Sequence, residues 1–264
     1  MNIHKFPNPK LNLPKELRNS PDKGEAMIFA SIENYLDLVN EYIYTDINLD
    51  YVRSDPRHIH AWIQRIVSAN LLRSLYLRNA FVDMFNARNT VGIFPSLRAW
   101  YETVGALAAI LDMLENNLSA DQLFEQLQPY AIGNKGKGKL RIGKVEAVNV
   151  MTMIEKANKY ISKMRQASSG DKETAHIDTF FTDYYDVASN LSHPCFDSLE
   201  LVGDLTDKGV WRTKEPDGVR KGIIETLPGY GGLLMTPLSI KNICEKIFVI
   251  EKEHFLELGS RKFF

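Results

Sequence analysis

The chain has 264 residues, of which 44% are hydrophobic and 25% charged, and such proportions exclude the disordered and fibrous classes. With 32 basic against 33 acidic side chains the formal net charge is -1, so attraction to nucleic acid or an anionic membrane has to come from a local patch. The two cysteines, Cys195 and Cys244, have no CxxC partner, which excludes a disulfide framework and a thiolate zinc site and suits a reducing, cytoplasmic setting.

Residues 1–24 hold Pro7, Pro9, Pro14 and Pro21 and lack the apolar run of a secretory signal. They predict either an extended arm pinned by Phe6, Leu11, Leu13 and Leu17 or a loose tail. One helical domain is expected over 25–264. It opens with Ile28, Phe29, Ile32, Tyr35, Leu36, Val39 and Ile43, which recur at steps of three and four. After a break at Asn48–Pro56 the pattern predicts a long helix to Thr90, with the stripe Ile59, Ile63, Ile66, Asn70, Arg73, Leu77, Ala80 and Met84 on one face. Gly92 and Pro95 punctuate the chain, and Ser96 is the expected N-cap of a helix over Leu97–Leu114. Its apolar stretch Val104–Leu111 is too short to span a bilayer, and no membrane segment is expected.

A shorter helix is predicted over Ala120–Leu127, ended by Pro129. Helices follow over Val145–Arg165 and over Thr174–Ser192, the latter stopped by Pro194. The texture then changes. Short runs at Leu199–Leu205, Val210–Lys214 and Val219–Leu227, separated by turn tetrads, predict a small antiparallel β-meander within about 197–232. A last helix is expected from a Thr236 cap, with Pro237 in its first turn, to Gly259. The expected class is therefore all-α: a bundle of six or seven helices with a meander before the C-terminal helix.

Chemistry concentrates in few places. Arg98 and Glu102 lie four apart on one helix face, continued by Gly105, Ala106 and Ala109. That small-residue stripe lets another helix approach, so the pair is expected to be partly covered. Either it is an ion pair locking two helices or it belongs to a site. His193 closes its helix, with Asn190 three and Asp186 seven residues before it. It reads as an acid/base or substrate-binding imidazole, or as a histidine complementing a helix C-terminus. Lys135, Lys137, Lys139, Arg141 and Lys144 alternate with glycines in a loop without acids. Such a loop either meets phosphates or is a solvated surface; it lacks the GK[ST] ending of a P-loop. His58 and His60 point to different sides of their helix, so no metal is expected there. Nothing in the spacing implies a cofactor.

Three stretches carry a resemblance: Leu97-Arg98-Ala99-Trp100-Tyr101-Glu102, Asn149-Val150-Met151-Thr152-Met153-Ile154 and Leu191-Ser192-His193-Pro194. Together, over about Asn70–Phe196, they resemble a family of uncharacterised bacterial helical proteins, a domain of unknown function. In it an Arg-x-x-x-Glu helix follows a long helix and a His-Pro pair closes a later one. The arrangement is also distantly similar to the HEPN group of nucleotide- and RNA-engaging helical domains, many of which serve in toxin and antiphage systems. Active members carry an arginine four to six residues before a histidine. Here Asp186–Ala188 contain none, so Arg98 would have to act from another helix. The resemblance implies a nucleic-acid-engaging or ribonuclease-like effector with Arg98, Glu102, Asn190 and His193 as its polar cluster. RNA or a nucleotide would be met by the basic loop. The other reading is a non-catalytic interaction module, a homodimer or the binder of a partner protein, in which the cluster is structural.

Overall fold

A computed structural model describes residues 6–13, 15–18, 23–50, 56–116, 118–132, 146–169, 179–193, 196–215 and 234–253. The order is α1 (Lys15–Arg18), α2 (Lys23–Glu33), α3 (Tyr35–Val39), a 3-10 turn (Asn40–Tyr42), α4 (Pro56–Asn86), α5 (Thr90–Glu115), α6 (Ala120–Ile132), α7 (Val150–Ser169), α8 (Phe180–Ser192), α9 (Phe196–Glu200), β1 (Gly203–Leu205), β2 (Trp211–Thr213) and α10 (Thr236–Glu251). The class is all-α, with one two-stranded antiparallel sheet before the last helix among the described residues.

The bundle is organised by α5. An amphipathic helix buries one stripe, whereas a helix apolar on all sides has to be surrounded. Every residue from Thr103 to Leu114 is buried, and α4, α6, α7, α8 and α10 all pack on this helix. The small-residue stripe does what its composition predicts. A Cβ on Gly105 would lie 2.9 Å from the Met153 carbonyl carbon, so the absence of a side chain there sets how closely α7 approaches.

Other local features differ from the sequence expectation for identifiable reasons. Helix α5 begins at Thr90. The Asn89 side chain caps it by accepting from Gly92 N at 3.0 Å, while Ser96 lies inside and donates to the Gly92 carbonyl. Pro95 deprives only the Val91 carbonyl of an intrahelical donor, and Val91 is exposed, where water can serve. Likewise α6 runs through Pro129. Its start is a capping box: Ser119 N donates to Gln122 Oε1 and Gln122 N to Ser119 Oγ, at 3.0 and 3.3 Å. Thr236 is the first residue of α10 and Met235 occupies the cap position.

The buried face of α4 is turned from the expected stripe. It runs through Ile59, Ile63, Val67, Leu71, Ser74, Arg78, Phe81 and Phe85, all buried, leaving Asn70 half-buried and Arg73 exposed. In the segment expected to be a meander, Leu199 and Glu200 are helical, in α9, and not extended. The hairpin pairs Gly203 with Thr213 and Leu205 with Trp211. The predicted strand Val219–Leu227 and the predicted end of α10 at Gly259 lie outside the described residues. In the N-terminal arm Phe6 and Leu11 are buried. Asn79 and Asn86 of α4 hold the arm by donating to the Pro7 and Lys10 carbonyls at 2.7 and 2.8 Å.

Candidate functional site

Arg98 and Glu102 do lie together, and two further residues complete their cluster. Arg98 projects from α5 toward α8, where the Tyr185 hydroxyl meets its Nη2 at 2.6 Å and its Nε at 3.2 Å. The same hydroxyl donates to Glu102 Oε1 at 3.1 Å. Arg98 Nη2 is itself 3.7 Å from Glu102 Oε1. From α4, Arg73 places Nη2 3.6 Å from the other carboxylate oxygen, Oε2. Its Nη1 donates to the Ala99 carbonyl and to Thr103 Oγ1, at 3.1 and 3.2 Å. One carboxylate thus stands between two guanidinium groups.

Burial is graded across this cluster. Tyr185 is 3% exposed, whereas the side chains of Arg98, Glu102 and Arg73 are 27%, 23% and 46% exposed. The floor is therefore a buried phenol and the rim is open. Burial raises the Tyr185 pKa, with Arg98 working against that rise and Glu102 adding to it, so the hydroxyl stays protonated and can donate to Glu102. The Arg98 guanidinium also lies 5.1 Å from the Tyr185 ring centroid, within cation–π range. Of this group, the i,i+4 spacing of Arg98 and Glu102 was legible in the sequence. Tyr185 and Arg73 were not read as its partners, because a tyrosine and an arginine on amphipathic helices carry no mark of what faces them.

Asn190 and His193 stand elsewhere on α8. Both are exposed, about 7 and 12 Å along the axis beyond Tyr185 at 1.5 Å per residue. His193 is the C-cap in an extended conformation, with φ -104° and ψ 153°, as expected of the residue before a proline. The contacts that close the arginine cluster are those of Arg73, Arg98, Glu102 and Tyr185. Lys135, Lys137, Lys139, Arg141 and Lys144 lie outside the described residues.

Three more polar groupings were missed in the sequence. Asp112 of α5, buried, receives Lys156 and Lys159 of α7 at 2.8 and 2.6 Å. Burial alone would raise its pKa, but the two lysines outweigh it and hold the carboxyl below its usual range. Asn158 of α7 accepts from Phe181 N at 2.6 Å and donates to Thr182 Oγ1 at 2.8 Å, fastening the first turn of α8. Arg78, 1% exposed, donates to the Ile32 and Glu33 carbonyls at 2.8 and 3.2 Å. These are among the orphan acceptors at the end of α2. Burial pushes the Arg78 pKa down to about 10, against the opposing pull of Glu33 and Asp83. A groove of about 480 Å³ between α7 and α10, lined by Tyr160, Met164, Lys246 and Val249 among others, includes none of the residues singled out in the sequence.

No group of histidine, cysteine and carboxylate side chains suited to a metal occurs among the described residues, and no described helix is long and apolar enough to cross a membrane. No family model, curated protein or solved structure matches the chain.

Proposed function

We propose that the protein engages nucleic acid or a nucleotide through its phosphates, at the open rim of the Arg73–Arg98–Glu102–Tyr185 cluster. The observation that carries this reading is the charge count of the rim. Two partly exposed guanidinium groups share a single carboxylate, which leaves one positive charge uncompensated within the cluster. A planar fork of N–H donors suits a phosphate. Tyr185 supports the reading by fixing Arg98, since a donor aimed in advance loses less freedom when it binds.

Binding is placed ahead of ribonuclease-like cleavage, because Asn190 and His193 sit roughly 7 and 12 Å further along α8 than the residue that holds Arg98. A setting in bacterial conflict rests on the HEPN resemblance, an analogy of fold. The reading of a non-catalytic interaction module keeps one specific support. The Arg98–Tyr185–Glu102 contacts tie α5 to α8, as a purely structural lock would.

Fluorescence anisotropy with a labelled single-stranded RNA, over a salt series, separates the two. The Arg73→Ser variant should bind more weakly and show a shallower salt dependence, by roughly 0.7 in the log–log slope for one lost phosphate contact. Its stability should change little, since Arg73 is exposed. Absence of binding at low salt, or a slope unchanged in the variant, would leave the interaction module.

A further inference from the structure

The groove between α7 and α10 holds a polar group that the fold leaves unsatisfied. Tyr160 of α7 lines it and is 5% exposed. Its hydroxyl is buried without a hydrogen-bond partner among the described residues. A buried hydroxyl in that state costs the fold free energy, so its presence calls for a physical reason. Lys246 of α10 reaches across to α7 and stands over the Tyr160 ring, with Nζ 5.1 Å from the ring centroid. The cation stands over the ring and the hydroxyl is on the ring's edge, so the two donors lie within the span of one carboxylate group.

The rest of the lining restricts what those donors can receive. Glu115 and Glu245 also line the groove, and each is already matched by a lysine: Glu115 by Lys163 at 2.6 Å, and Glu245 by Lys241. Lys246 is different, because its contact among the described residues is the Tyr160 ring and not a carboxylate. It is therefore the cation left over for a ligand. Val249 and Ile250 add apolar wall, and Val249 is 51% exposed. The volume of about 480 Å³ falls in the range of small-molecule sites. One spare positive charge between two acids suits a monoanion, whereas a dianionic phosphate would be repelled by both carboxylates. Burial, with Glu245, Glu115 and Cys244 adding to it, pushes the Tyr160 pKa up to about 12, so the hydroxyl keeps its proton and can donate it.

We propose that this groove binds a small carboxylate with an apolar body, received by the Tyr160 hydroxyl and the Lys246 ammonium. One carboxylate oxygen accepts from the phenol and the other faces the ammonium, while the apolar body lies along Val249 and Ile250. The Lys246 stem roofs the ring. Turning it aside is a rotamer change on a flexible four-carbon chain and leaves the helices in place, and it admits the carboxylate to the phenol. None of the residues of the arginine cluster lines this groove, so the two sites can be told apart by substitution.

Equilibrium dialysis with radiolabelled octanoate, in a buffer free of other carboxylates, tests this. The wild-type chain should bind octanoate. Octanamide, of the same length but uncharged, should compete only weakly, and inorganic phosphate should not compete. Tyr160→Phe and Lys246→Met should each weaken octanoate binding by about tenfold or more, as the loss of one charge-assisted hydrogen bond implies. In urea denaturation Tyr160→Phe should be at least as stable as wild type, since the hydroxyl it removes has no partner to strand. No binding up to millimolar octanoate overturns the proposal, as does competition by octanamide equal to that of unlabelled octanoate, or competition by phosphate. An affinity unchanged in either variant overturns it too, and so does a Tyr160→Phe variant less stable than wild type. Binding lost in Arg73→Ser and kept in Tyr160→Phe would put the carboxylate at the arginine rim and overturns the proposal equally.

Discussion

The Tyr185 hydroxyl joins Arg98 to Glu102: it lies 2.6 Å from Arg98 Nη2 and donates to Glu102 Oε1 at 3.1 Å. A group that links two charges from a buried position has effects out of proportion to one oxygen atom. Tyr185→Phe removes it without changing the ring, and it should cost about 1.5–3 kcal/mol in urea denaturation, the range for a buried hydrogen bond to charged partners. Glu102→Gln should cost less, about 1 kcal/mol, because its side chain is 23% exposed and solvent screens its two arginine contacts. A Glu102→Gln loss well above that of Tyr185→Phe would show that the carboxylate, and not the phenol, holds α5 to α8.

Arg78 gives a second expectation. Its guanidinium answers the carbonyls of Ile32 and Glu33 at the end of α2 and also reaches Asn79 Oδ1 at 2.9 Å. Arg78→Met keeps most of the buried volume but strands those carbonyls, and should lower stability by about 3 kcal/mol. Arg78→Lys should recover only part of that, because an ammonium cannot span both carbonyls and Asn79 as a planar fork does. Thermal or chemical denaturation of the two variants decides it. Equal stability for lysine and arginine would mean that charge alone, and not the fork, satisfies the end of α2.

What the sequence could carry follows from the range of the forces involved. The central helix was legible because a run such as Val104–Leu111 can only be buried. The approach of α7 was legible in Gly105, Ala106 and Ala109, since small side chains leave room whatever fills it. Helix ends were less so. Asn89 and Ser119 cap α5 and α6, yet Pro95 and Pro129 read as stops because a proline's cost depends on whether the carbonyl it strands meets water. The stripe of α4 was read one flank aside because Arg78 looks like a surface residue. What buries it is the end of α2, some 45 positions earlier, and no local pattern encodes that partner. The same holds for Tyr185, which meets Glu102 across 83 positions.

Asp112 supplies an expectation about pH. Its carboxylate is 10% exposed and bound by Lys156 and Lys159. Burial favours the protonated form, but the lysines prevail and the folded-state pKa is lowered. A carboxyl lowered on folding contributes stability above its unfolded pKa, and that contribution fades as pH falls through the folded value. Asp112→Asn should therefore be less stable than wild type at pH 7, by about 1–2 kcal/mol for the loss of charge-assisted hydrogen bonds. The difference should hold down to the ordinary carboxylate range and shrink below it, as the wild-type carboxyl takes up a proton and its advantage over an amide disappears. Urea denaturation of both proteins from pH 7 to pH 3 measures this. A difference that stayed constant to the lowest pH would mean that the residue acts through its shape and its contact with Asn116, whose Nδ2 donates to Asp112 Oδ2 at 3.4 Å, and not through the two lysines. Lys156→Met and Lys159→Met then sort the contributions. Each alone should remove part of the pH-dependent component, and together they should leave a buried Asp112 whose pKa lies above the usual range. The sign of the pH dependence would then reverse.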